Sequence, residues 1–146
     1  MGIPEPPKRR DRRALRYLDE LKARALADPT LPVHDEVSAT LYVWALVVAA
    51  FFGEKERRLF RQVYEAYTEG ECLYEMRAAC ACEDKDPLCL ILDQIMAETS
   101  DSQLLAAYLM QAIESESWRS VQQDLKDRKL TADNFVWWSF DPDQRI

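Results

Sequence analysis

From Val37 to Gly53 the chain carries no charged side chain. Within that run, Leu41-Tyr-Val-Trp-Ala-Leu-Val-Val-Ala-Ala-Phe-Phe52 is apolar almost without interruption. A stretch of this kind must be hidden from water, either in lipid or beneath the rest of the chain. A membrane span needs about 20 apolar residues. This run is a little short, contains Ser38 and Thr40, and follows Asp35 and Glu36. The better reading is a central core helix, apolar nearly all round because its neighbours cover it. That reading requires several further elements, each with one apolar face.

The chain supplies them, and every one has helical spacing. Residues 1–7, with Pro4, Pro6 and Pro7, read as an extended, disordered lead-in. A first helix is expected from about Lys8 to Ala27, with Leu15, Leu18, Leu21 and Ala25 in one stripe. Asp28-Pro-Thr-Leu-Pro32 ends it. The central helix should cover about Val33 to Phe52, with Asp35 and Glu36 in its first turn and Gly53 as a left-handed stop.

A third helix, about Glu54 to Glu69, has Leu59, Phe60, Val63, Tyr64 and Tyr67 on its inner side and Gly70 as its cap. The fourth, about Glu71 to Cys82, aligns Leu73, Met76 and Cys80. Asp86-Pro87 starts a fifth, carrying Leu90, Ile91, Ile95 and Met96. Ser100 and Gln103 match a capping box for a sixth, which continues or kinks at Ser115-Glu-Ser117 and reaches about Lys129 through Trp118, Val121 and Leu125. No segment alternates with period two. The expected fold is an all-α, single-domain bundle of about six to seven short helices, spanning residues 8–130 and followed by an aromatic tail over residues 131–146. Only three glycines occur, which agrees with helices rather than a turn-rich β fold.

Charge is distributed unevenly. Residues 1–62 hold twelve basic and nine acidic residues, net +3; residues 63–116 hold two and twelve, net −10; the remainder balances at five each. A dipolar surface orients a molecule against its partners. In the acidic part, Glu69, Glu71 and Glu75 could meet a basic partner surface, even one that otherwise holds nucleic acid. The basic run contributes Arg9, Arg10, Arg12 and Arg13, which could touch phosphates within a larger complex. The tail presents Phe135, Trp137, Trp138 and Phe140, aromatic residues that either cover the core or anchor a partner protein.

Cys72, Cys80, Cys82 and Cys89 lie within eighteen residues and are the only cysteines. Their spacing, C-x7-C-x-C-x6-C, lacks the C-x2-C knuckle of common zinc modules, and on a helix Cys80 and Cys82 face nearly opposite ways. Buried structural thiols are the leading reading; a zinc site, a disulfide and a redox role are the alternatives.

No glycine-rich phosphate loop, HExxH, GxSxG or EF-hand pattern occurs. The one histidine, His34, has no identifiable nucleophile to activate. The N-terminus lacks the apolar core of a secretory leader, so a cytoplasmic location is expected, with no membrane contact and no cofactor. These features together suggest a non-enzymatic adaptor or small accessory subunit of a multiprotein assembly. An acidic inhibitor of a nucleic-acid-binding protein and a cysteine-ligated metal regulator are the rivals.

Overall fold

A computed structural model describes residues 11–80 and 86–136. Among these, seven α-helices and one 3-10 turn form, with no strand. They are α1 (Arg12–Ala27), α2 (Glu36–Phe51), α3 (Glu54–Ala66), α4 (Glu69–Ala79), α5 (Pro87–Glu98), α6 (Ser102–Glu114) and α7 (Trp118–Asp127), with the turn at Ala132–Phe135. The all-α bundle is therefore the observed architecture. No helix among the described residues is long and apolar enough to cross a membrane.

The uncharged run forms α2, and α2 is the hub. It packs against α1, α5, α6 and α7, and every residue from Leu41 to Ala50 is buried. The other helices need only one apolar stripe each, because each meets the hub or its neighbours from one side. Helix α6 carries the second layer, touching α2 on one side and α3 and α4 on another.

Both ends of α2 are closed by specific hydrogen bonds. At its start the Asp35 carboxylate accepts from the Ser38 amide at 2.7 Å, and the Ser38 hydroxyl accepts from the Asp35 amide at 3.2 Å. This reciprocal pair satisfies two of the donors that a helix start leaves open. Thr40 donates to the Glu36 carbonyl at 2.8 Å. The polar residues that made the run a poor membrane segment are thus absorbed locally. At the far end, the Arg57 guanidinium donates to the Ala49 carbonyl at 3.3 Å and also to the Phe52 carbonyl. Gln122 donates to the Ala50 carbonyl at 3.1 Å. Side chains of α3 and α7 thereby cover the carbonyls that the helix cannot satisfy itself.

Several boundaries differ from the sequence expectation. Helix α1 begins at Arg12, because the Asp11 carboxylate accepts from the Arg13 amide at 2.9 Å and acts as the cap; residues 8–10 lie outside the described set. Helix α2 begins at Glu36, with Asp35 as its cap and Val33 before it. Gly53 is not a left-handed stop: its φ is −81°, and it starts α3. A Cβ there would sit 2.6 Å from the Glu56 carboxylate, so the glycine leaves room for that side chain.

Helix α3 stops at Ala66, short of Glu69, and Gly70 lies in the first turn of α4 instead of capping α3. The cap of α6 is Asp101, which accepts from the Leu104 amide at 3.0 Å, and not Ser100. In α5, Asp86 and Pro87 start the helix as expected, but Leu90 is exposed and Cys89 and Leu92 are buried in its place.

The left-handed positions fall on ordinary residues. Glu116, at φ 59°, separates α6 from α7, and Lys129, at φ 56°, ends α7. At Lys129 the following amide, Leu130, bonds back to the Leu125 carbonyl at 2.9 Å, and both leucines are buried. That hydrophobic closure offsets the ~1–2 kcal/mol strain of a left-handed side-chain-bearing residue.

Residues 131–136 fold back onto the domain. Phe135 is buried, edge-on to Trp44 at 6.3 Å and to Phe51 at 5.7 Å. Asn134 donates to the Asp11 carboxylate at 2.6 Å, which ties the turn to the cap of α1. Helix α1 is joined to α7 by the Tyr17 hydroxyl, which donates to Asp124 at 3.0 Å. Burial, reinforced by the Asp124 charge, holds that phenol far above its ordinary range.

Hydrogen bonds from the backbone and then the side chain of Ser38 hold the Asp35 carboxyl below its ordinary value. The side chain and then the backbone of Thr30 do the same for Asp28. A depressed folded-state pKa contributes stability above the unfolded value and loses it as pH falls through the folded one. The melting temperature should therefore drop as pH is lowered below ~4. Asp35→Asn should flatten that drop, since asparagine caps without titrating in this range. Circular dichroism melts from neutral to acid pH check this; an identical acid slope in the variant would exclude Asp35 as a contributor.

Candidate partner-binding surface

Helix α4 has two sharply different sides. Cys72, Leu73 and Met76 are buried and face the interior, where the helix packs on α3 and α6. Glu71, Tyr74, Glu75 and Ala78 are exposed. These four recur at three- and four-residue steps, so they form one outward stripe. Tyr67, the residue that caps α3, lies in extended backbone two residues before α4 begins. Tyr74 is 55% exposed and Tyr67 45% exposed.

The helix is held in place independently of this face. Arg77 clamps it to α5 through two parallel bonds to Asp93, Nε–Oδ1 at 3.0 Å and Nη2–Oδ2 at 3.3 Å. Such a fork fixes orientation as well as position. The outcome is a helix face that shows water the Tyr74 ring and the Glu71 and Glu75 carboxylates, with Tyr67 exposed in the connection before it. Tyrosine offers a large ring with a hydroxyl at low entropic cost, which is why it is frequent at binding hot spots. Adjacent carboxylates favour a basic partner surface and repel an acidic one.

Glu71 and Glu75 thus stand where a partner could reach them, and Glu69 begins the same helix, its side chain lying outside the described set. Sequence reading missed both tyrosines. Tyr67 was expected on the inner side of α3, but that helix ends one residue before it. Tyr74 could have been found from its place opposite Leu73, Met76 and Cys80.

The other sequence candidates are placed as follows. Phe135 is a core residue of the domain itself, so it is not a surface anchor; Trp137, Trp138 and Phe140 lie outside the described residues. Arg12 and Arg13 are exposed on α1, and Arg13 is engaged with Asp11 at 3.2 Å; Arg9 and Arg10 lie outside the described residues.

Cys72 and Cys89 are buried, Cys80 is half-buried, and Cys82 lies outside the described residues. Among the described residues no three His, Cys, Asp or Glu side chains gather as a metal-holding group. His34 is exposed, and its backbone amide donates to Ser38 Oγ at 3.1 Å. No family model, curated protein or solved structure matches this chain, which leaves its own surfaces as the guide to what it does.

Proposed function

We propose that the protein is a non-enzymatic adaptor or accessory subunit that binds another protein through the outer face of α4. Tyr67 and Tyr74 are the anchors, and Glu71 and Glu75 select a basic partner surface. The observation that carries this reading is the half-exposed Tyr74 ring set beside two carboxylates on a clamped helix, with a second exposed tyrosine, Tyr67, in the connection that leads into it. Scattered exposed apolar residues are ordinary. Exposed tyrosines at a helix braced from behind suit an interface anchor.

A photo-crosslinking residue at position 74, introduced in the native host, should trap the partner for mass spectrometry. With that partner purified, Tyr67→Ala with Tyr74→Ala should weaken binding by ~2 kcal/mol or more, about thirtyfold. The melting temperature should stay within a few degrees, because both rings are exposed. Glu71→Lys with Glu75→Lys should mainly slow association and alter its salt dependence.

The opposite pattern would favour the acidic-inhibitor reading: charge reversal abolishing binding, tyrosine removal tolerated, and competition by nucleic acid. Undiminished binding by both double variants would remove α4 from consideration.

A further inference from the structure

We infer that a cleft between α3 and α7 is a binding site for a polyphosphate group. The cleft has a volume of about 430 Å3 and is lined by Glu54, Arg57, Arg58 and Arg61 of α3, by Trp118 and Arg119 of α7, and by Glu116 between α6 and α7. Four guanidiniums against two carboxylates give this lining a net charge of +2 within a chain of net −7. Three of the four belong to the basic first part of the chain, and Arg119 of α7 joins them from across the cleft.

The carboxylates present do not neutralise the cluster. Arg58 pairs with Glu54 at 3.2 Å and Arg119 with Glu116 at 2.9 Å. Among the described residues, Arg57 and Arg61 have no carboxylate within ion-pair distance. Trp118 holds two like charges together: the Arg57 guanidinium lies 3.6 Å and that of Arg119 4.8 Å from its ring centroid. The negative face of an aromatic ring attracts each cation and offsets part of their mutual repulsion.

Arg57 is fixed further by its bonds to the Ala49 and Phe52 carbonyls. Burial first, and the neighbouring Arg119 second, make its guanidinium a weaker base than usual. Glu54 and Glu56 act in the opposite sense.

The chemistry narrows the ligand. Guanidiniums take oxyanions two bonds at a time, and several of them spaced along two helices suit several linked oxyanions better than one. The first turns of both α3 and α7 line the cleft; Glu54 and Glu56 already stand in that of α3, and no side chain caps the start of α7. A helix start favours negative charge, so that of α7 adds to the arginines. A volume of about 430 Å3 accommodates a di- or triphosphate group. Trp118 is buried and covered by arginine, so it does not offer a platform on which a base could stack. The phosphates therefore dominate recognition, whether they come as free inorganic polyphosphate or as the tail of a nucleotide.

Isothermal titration of the full chain with pyrophosphate at low salt tests the site. A Kd below ~1 mM is expected. Arg58→Gln with Arg61→Gln, both exposed side chains, should raise it by about tenfold or more while leaving the ligand-free melting temperature unchanged. Pyrophosphate should raise the wild-type melting temperature and leave that of the double variant where it is. Equal affinities for ATP and pyrophosphate assign the site to the phosphate chain alone; tighter ATP binding adds the nucleoside.

Absence of both heat and thermal shift with folded wild-type protein at ~10 mM pyrophosphate would overturn the proposal. So would equal binding by the double variant. A short single-stranded oligonucleotide that binds more tightly than ATP through the same arginines would replace the small-ligand reading with a nucleic-acid one.

Discussion

Val47→Asp should leave the chain without a stable fold. Val47 has 0% exposure at the middle of α2, with packed residues on every side. A carboxylate there must either stay charged without a partner or take up a proton against its ordinary pKa. Both routes cost several kcal/mol. A domain of this size has only about 5–15 kcal/mol to lose. Urea denaturation followed by circular dichroism should show either no folded baseline or a midpoint shifted far toward zero denaturant.

Val37→Asp is the matched control on the same helix. Val37 is 70% exposed and lies in the first turn of α2, where the helix dipole favours a negative charge. Its stability should change by no more than ~0.5 kcal/mol in either direction. Should Val47→Asp melt like wild type, α2 cannot be enclosed by its neighbours as the structure has it.

Phe135→Ala should cost ~3–5 kcal/mol, as large-to-small substitutions of buried aromatics do. The ring is 1% exposed and wedged against Trp44 and Phe51, so its loss opens a cavity beside the hub helix. The same substitution at Tyr74 should cost far less, because that ring is 55% exposed. The comparison separates two ideas about the aromatic C-terminal segment. Were Phe135 a surface anchor, its removal would spare stability and affect only binding. A destabilisation under ~1 kcal/mol would contradict the packing described here.

The hub helix was legible in the sequence because its signal is local. A run without charge flanked by Asp35 and Glu36 has few places to go, and the three- and four-residue spacing elsewhere supplied its cover. The Asp86-Pro87 start was legible for the same reason: a cap and a restricted φ act within one turn. Other boundaries went astray where two local signals competed. Gly53 and Gly70 look like helix stops, yet both sit at helix starts, where little conformational freedom is required. The true left-handed positions, Glu116 and Lys129, carry no such signal. Their conformation is sustained by burial of residues such as Leu130, which only the folded chain supplies.

Periodicity and capping chemistry, read from the sequence by itself, determined that the chain is helical, that the helix carrying Leu41–Phe52 lies at its centre, and which faces of most helices turn inward. Both act between residues a few positions apart, so order along the chain suffices to see them. Tertiary structure alone decided which polar and aromatic side chains meet. It put Phe135 into the core and left Tyr67 and Tyr74 exposed. It also carried Arg119 to the same tryptophan ring as Arg57. Those groupings depend on how separate helices stack around α2, and helix spacing says which side of a helix is apolar without saying what lies across from the other.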